Sequence, residues 1–309
     1  MSVAIQVLVT GLGAGGVYGL LAVGHALVYR LTGTIHFALG DLIGLAVFAT
    51  LAVAVGSGPV TQTNVAPVRF ALALAVGVAA CVAASVATYL FAVDPFVGRA
   101  SVFWIGAMLA VAFAIRAVLE SFFPRQGYVF PDPFPFRHVG RGGVVDVAGA
   151  SFQVRTLYVA ALAVALAGLA AWTLERTRFG RGLQAVAADS EAAALVGVPI
   201  ARYVALAFAL AGGVAALAAI AAAPGAPVSP GTGTLLGLEG LVAALVVRFG
   251  SPWRAFAAGE GLGLLESAIA NVHLGGLELG PAYSRVLPIA LVLAALALRP
   301  PREALLETE

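Results

Sequence analysis

Long apolar runs dominate this chain, separated by short polar stretches rich in Arg, Pro and Gly. Most runs approach about 20 residues, the length of a helix that crosses a bilayer hydrocarbon core of about 30 Å. They fall at about Val3–Tyr29, Thr34–Gly56, Phe70–Val93, Ser101–Phe123, Thr156–Leu174, Tyr203–Ala223, Leu235–Val247, Ala255–Val272 and Tyr283–Leu298. The pattern predicts an all-α, polytopic transmembrane helix bundle of about eight to ten spans. It forms a single membrane domain over residues 1–309. The Gly-rich first and seventh runs are where a broken or re-entrant helix would change the count by one.

Two stretches depart from the apolar pattern. Residues 124–155 are rich in Pro, Gly, Arg and Asp, and are expected to form a sizeable loop outside the membrane. Alternation in VVDVAGASFQV predicts a small hairpin there. Residues 175–202 carry Arg176, Arg178, Arg181 and Arg202 around the string SEAAALVGVP. Ser190 is placed to cap a short helix, Gly197 suits a left-handed C′ position, and Pro199 stops continuation. The expected product is a two-turn helix outside the membrane. Ala192, Ala193 and Ala194 offer no bulk, so a partner surface can approach closely; the plainer reading is a capped loop helix.

Composition narrows the class. The chain is 61% hydrophobic and 10% charged, against roughly 25% charged in an ordinary soluble domain, and its mean hydropathy is +1.01. A soluble core cannot hide that much apolar surface, so soluble enzymes, disordered chains and nucleic-acid binders are excluded. The net charge of +2 says nothing about partners, but its make-up does. All 17 basic residues are Arg. Without Lys the chain can supply neither the phosphate-binding Lys of a P-loop nor a Schiff base. Cys81, alone, allows no intrachain disulfide and no cysteine metal cluster. No His/Cys/Asp grouping has metal-ligand spacing, and no cofactor is expected. The N-terminus lacks the basic segment of a secretory signal and reads as a retained first span.

Arg placement orients the bundle, because cytoplasmic flanks retain Arg. With 175–202 inside, alternation through nine spans puts ten Arg inside and six outside, and leaves Arg116 within a span. The N-terminus is then outside and the C-terminus inside. A possible repeat relates ALVYRLTG (26–33) plus ALGDLIG (38–44) to ALVVRFGS (244–251) plus AAGEGLG (257–263). If real, it means two related halves around a central pathway.

An ionised group at mid-bilayer costs about 2.5–3.5 kcal/mol on insertion scales. His25, Asp41, Glu239, Glu260 and Glu266 are therefore expected to face protein or water, or else to snorkel to the interface. Arg116 and Glu120, four apart on one helical face, are expected to pair with each other. The glycines at 11, 13, 15, 16 and 19, and at 259, 261 and 263, mark close helix packing.

The residues also carry a resemblance. Glu191-Ala192-Ala193, followed by three residues and Gly197, resembles the Glu-Ala-Ala loop of ABC importer permeases. The surrounding RTRFGRGLQAVAADSEAAALVGVPIARYVALAFALAGGVAALA resembles branched-chain amino-acid permeases of the high-affinity importer type. YGLLAVGHALVYRLTGTIHFALGDL is similar to that family's first two spans, and FGSPWRAFAAGEGLGLLES to its later turn and Gly-rich helix. The chain is identified as a divergent member. Where the family has Asn-Phe-Ala-His-Gly-Glu, this chain has His36-Phe37-Ala38-Leu39-Gly40-Asp41, and Arg248-Phe249 replace paired glycines.

The resemblance implies a permease subunit that performs no chemistry itself. It implies a second homologous permease subunit, two cytoplasmic ATP-binding subunits and an extracytoplasmic solute-binding protein, all in a prokaryotic plasma membrane with its lipid. The coupling contact would use Ser190, Glu191, Ala192, Ala193 and Gly197. The solute path would use His25, His36, Asp41, Glu239, Glu260 and Glu266, and the cargo would be a small polar solute, branched-chain or related amino acids first. The alternative is a stand-alone secondary transporter or channel, with the intramembrane carboxylates as its coupling-ion site.

Overall fold

The computed structural model describes residues 2–56, 65–96, 103–124, 127–132, 143–147, 149–224 and 227–271, with 283, 286, 288–290, 292 and 294 beyond them. The helices are α1 (Ser2–Thr32), α2 (Leu39–Val55), α3 (Pro67–Thr88), α4 (Phe103–Phe122), α5 (Val154–Arg176), α6 (Arg178–Ala188), α7 (Ser190–Leu195), α8 (Ile200–Ala222), α9 (Thr232–Val246) and α10 (Pro252–Asn271). Five of them, α1, α3, α4, α5 and α8, are long and apolar enough to cross a membrane unaided. The helices α2 and α9 have 17 and 15 residues, roughly 26 and 23 Å at 1.5 Å per residue, short of the bilayer core. Non-helical segments extend both: 33–38 before α2, and 227–231 before α9. The span expected over 283–298 is helical where it is described, and the tail beyond lies outside the described residues.

The helix α1 is the axis of the bundle. It packs against α5, α8, α9 and α10, and most of its central residues are buried. Gly33 stops it: with φ +66° its N–H turns back to Tyr29 O at 2.8 Å, the left-handed exit that glycine adopts freely. Between α9 and α10 the same exit is made by Arg248 and Phe249, at φ 51° and 52°. A side chain at positive φ costs roughly 1–2 kcal/mol per residue. Phe249 offsets part of that by burying its ring against Tyr29, with centroids 4.1 Å apart. The helix α3 ends in a widened turn over Tyr89–Val93 just before Pro95, whose missing N–H and ring bar a regular helix.

The hairpin expected from alternation is present as β2 (Val144–Val147) and β3 (Ala150–Gln153), antiparallel in the register Val144↔Gln153. A second, short pairing was not legible in the sequence. It joins β1 (Tyr128–Val129) to β4 (Pro227–Val228), tying the region between α4 and α5 to the break before α9. Residues 133–142 of that region lie outside the described residues.

Candidate functional site

Two layers of polar residues run through the bundle, both built on glycine contacts. In the first, α2 and α9 cross where Gly40 meets Gly233 and Gly237. A Cβ on Gly237 would stand 2.5 Å from Gly40 Cα, so no side chain fits. The close approach brings Asp41, buried, against α9, where Thr234 Oγ1 donates to its Oδ1 at 2.9 Å. Arg116 reaches across from α4 and donates to the same oxygen through Nε at 3.1 Å and Nη2 at 2.9 Å. Arg116 also bonds Thr234 Oγ1. The expected partnership of Arg116 with Glu120 is therefore corrected. Glu120 is exposed on α4, while the guanidinium turns inward to a buried carboxylate that needs a counter-charge far more.

His25, on α1, joins this layer through Nε2 and Gly237 O at 3.2 Å. Glu239 lies buried on α9, half a turn further along. His36, in the break before α2, is fully buried. Its Nε2 lies 3.2 Å from Ser85 Oγ, and Ser85 in turn donates to Phe208 O on α8 at 2.7 Å. The Nδ1 atoms of both histidines have no hydrogen-bond partner among the described residues.

The second layer is the α1·α10 seam, the most intimate helix pair among the described residues. Gly15 faces the backbone of Glu260; a Cβ there would stand 2.7 Å from Glu260 Cα. Glu260 Oε2 is buried without a partner among the described residues. Further along, Tyr18 donates to Glu266 Oε2 at 2.6 Å, and Thr10 Oγ1 lies 2.5 Å from Ser267 Oγ. The six path candidates thus occupy two layers, not one cluster. His25, Asp41 and Glu239 meet at α9, with His36 nearby on the α3·α8 side, and Glu260 and Glu266 line the seam. No grouping able to hold a metal ion occurs among the described residues.

A cavity of about 370 Å³ lies between α1, α2, α5, α8 and α9. None of the six candidates lines it. Its walls are largely apolar, with Tyr18, Thr10, Thr232 and Arg155 on its lining. Arg155 is itself paired with Asp132.

The polar stretch after α5 folds into two helices where one was expected. In α6, Thr177 Oγ1 caps Gly180 N–H at 3.0 Å, and Leu183 and Val186 bury against the bundle while Arg178 and Arg181 stay exposed. That amphipathic face was readable from its spacing but hidden by its many polar residues. The second helix, α7, is capped by Asp189, not Ser190. Asp189 Oδ1 accepts from Glu191 N and Ala192 N at 3.0 and 2.9 Å. Its carboxylate, one residue earlier, meets the free N–H groups of the first turn, so Ser190 becomes the first helical residue. Gly197 sits at φ +85°, as expected, with Val198 N–H to Ala193 O at 3.0 Å and Gly197 N–H to Ala194 O at 2.9 Å closing the turn.

The alanine face is not uniformly outward. Ala193 is buried on the protein's own side, whereas Glu191, Ala192, Ala194 and Gly197 are exposed. Two residues overlooked at the sequence level, Leu195 and Val196, are 89% and 79% exposed. They form an apolar tip on a polar segment.

With this geometry in place, comparison with known proteins decides the family. The family model for permease components of branched-chain amino-acid transport systems matches residues 7–296. The chain belongs to this family. A relative, the high-affinity branched-chain amino-acid transport system permease protein BraD of Pseudomonas aeruginosa, is 27% identical over 301 residues, covering 96% of this chain and 94% of that protein. Among solved structures, a chain from an inward-facing metal-chelate type ABC transporter matches with a TM-score of 0.52 at 13% identity, over 95% of this chain and 85% of that one. That likeness concerns the fold alone. Membership of this family makes the chain a multi-pass membrane permease subunit of an ABC importer. Importers of this kind work with ATP-binding subunits and a partner permease.

Proposed function

We propose that this permease carries a small polar solute, branched-chain or related amino acids, and that ATP-binding subunits drive it by docking on α7. The observation that carries the reading is the tip of α7. Leu195 and Val196 stand almost fully exposed on a short, double-capped helix braced by α6. Exposed large apolar side chains on a rigid polar support mark a protein contact. A rigid helix between two long spans, α5 and α8, passes a push on its tip directly into the bundle. In this reading α7 is cytoplasmic, the N-terminus is outside and the C-terminus inside. The strands between α4 and α5 then lie on the outer face, towards an extracytoplasmic solute-binding protein, and a second homologous permease completes the path.

The polar layers fit a conduit moved by a partner better than an ion-coupled carrier. Asp41 is neutralised by Arg116 and held by Thr234, and Glu266 accepts from Tyr18. A coupling-ion site needs carboxylates free to bind and release, which leaves Glu260 as the principal candidate.

The test is direct. Leu195→Glu and Val196→Glu, at exposed positions, are expected to leave the protein inserted and folded but to abolish co-purification with the ATP-binding subunits and solute-stimulated ATP hydrolysis. Ala194→Ser is expected to retain both. Ala193→Glu is unsuitable, because its side chain would be forced into the protein's own interior. Full coupling in both Glu variants would remove α7 from the contact.

A further inference from the structure

A groove of about 510 Å³ opens between α1, α3, α5 and α8, and its lining is almost wholly apolar. On α8 the lining residues recur from Leu206 to Leu217 at helical spacing, which spans roughly 16 Å. That is about half of a 30 Å hydrocarbon core, the depth of one leaflet. Its floor is hollow because Ala170, Ala209 and Gly213 are small, while Leu169 and Leu206 stand 57% and 47% exposed beside them. The single hydroxyl on the lining, of Thr173, is satisfied internally by Leu169 O at 2.8 Å. Nothing in the groove offers a hydrogen bond to a polar solute.

Charge is concentrated at one end. Phe179 and Leu174 line the groove where α5 passes into α6, and within two residues of them in the chain Arg176, Arg178 and Arg181 are exposed, with no ion pair among the described residues. Glu175, the nearby carboxylate, lies on a separate cavity beneath α6 with Arg30 and Gln184. An apolar slot one leaflet deep, with three exposed Arg within two residues of the side chains at that end, matches the two parts of an anionic phospholipid.

We infer that this groove is a binding site for one acyl chain of an anionic phospholipid, whose phosphate is held by Arg176, Arg178 and Arg181. The assignment of the site to the cytoplasmic leaflet rests on the orientation proposed above; the site itself does not. A bound lipid would brace α5 against α8, the two spans that flank α6 and α7. Basic residues at the membrane surface attract anionic headgroups, and guanidinium groups suit phosphate geometry.

The experiment uses the purified importer complex in phosphatidylcholine vesicles, with a trace of phosphatidylglycerol or phosphatidylcholine carrying a photoreactive group on one acyl chain. The expected result is crosslinking to α5 and α8 peptides containing Leu169 or Leu206, stronger for phosphatidylglycerol. Ala209→Trp, which fills the slot, removes the crosslink. The Arg178→Gln/Arg181→Gln variant, altered outside the bundle, lowers the phosphatidylglycerol yield by about tenfold, towards that of phosphatidylcholine. Equal labelling by the two lipids in the unaltered complex overturns the inference. So does labelling indifferent to the double Arg change, a readout that stands even if Ala209→Trp fails to fold. A disulfide between Leu206→Cys and the second permease subunit would show that a protein helix fills the groove, and would equally overturn it. None of these outcomes depends on solute uptake or on α7 docking.

Discussion

Asp41 and Arg116 show how a charged pair survives inside a membrane protein. The carboxylate is almost fully buried and receives donors from two helices, α4 and α9. Removing one partner of such a pair leaves an uncompensated buried charge, a loss of about 3–5 kcal/mol. Arg116→Met is therefore expected to cut the thermal inactivation temperature of the purified protein sharply, and the Arg116→Gln/Asp41→Asn double variant to recover much of the loss. If Arg116→Met were neutral, the pair would be incidental. The sequence made Asp41 and Arg116 visible as costly intramembrane charges but not as partners, because they lie 75 positions apart. Helical spacing instead pointed to Glu120, which faces out. The same limit applies to Ser190: several residue types can cap a helix, and only the backbone shows that Asp189 meets the free N–H groups.

Among elements, the α1·α10 seam was legible as glycine-rich runs, and the structure turns that composition into contact. Gly15 and Gly263 approach so closely that a Cβ on Gly263 would stand 2.3 Å from Gly15 N. In lipid, helices associate through packing rather than through a hydrophobic force, so surfaces of this kind carry the stability. Gly263→Leu is expected to separate the two helices, disturb the Tyr18–Glu266 bond and lower folded yield in mild detergent, whereas Gly261→Ala, with open space around it, leaves yield unchanged. Equal behaviour of the two variants would remove the seam from the account. Helix positions were readable to within a few residues because apolar runs set them. The breaks at 33–38 and 247–251 were less so. Gly33 announces the first, but Arg248 and Phe249 disguise the second by adopting positive φ without glycine. The two breaks share a form: in each, a helix ending near Arg turns and enters a helix that carries an acid, Asp41 or Glu260, at or next to a glycine contact with a neighbour.

In the whole molecule, a helical bundle with two interior polar layers carries a pair of short capped helices, α6 and α7, between two of its long spans. Composition alone placed the chain in the membrane, and the absence of Lys denied it the phosphate-binding Lys of a P-loop. The apolar tip at Leu195 and Val196 was not legible. A hydrophobic residue in a short loop helix reads as packed until the fold shows nothing above it. The β1·β4 pairing was hidden for a different reason, since two-residue strands carry no periodicity.

ATP-binding subunits that drive the permease through α7 must cover its tip. Val196→Cys in a Cys81→Ala background, probed with a membrane-impermeant thiol reagent on inside-out vesicles, reports that cover. Rapid labelling is expected when the ATP-binding subunits have been stripped, and strong protection when they are restored. Equal labelling in both states, or labelling only from the outer face of intact cells, would contradict it.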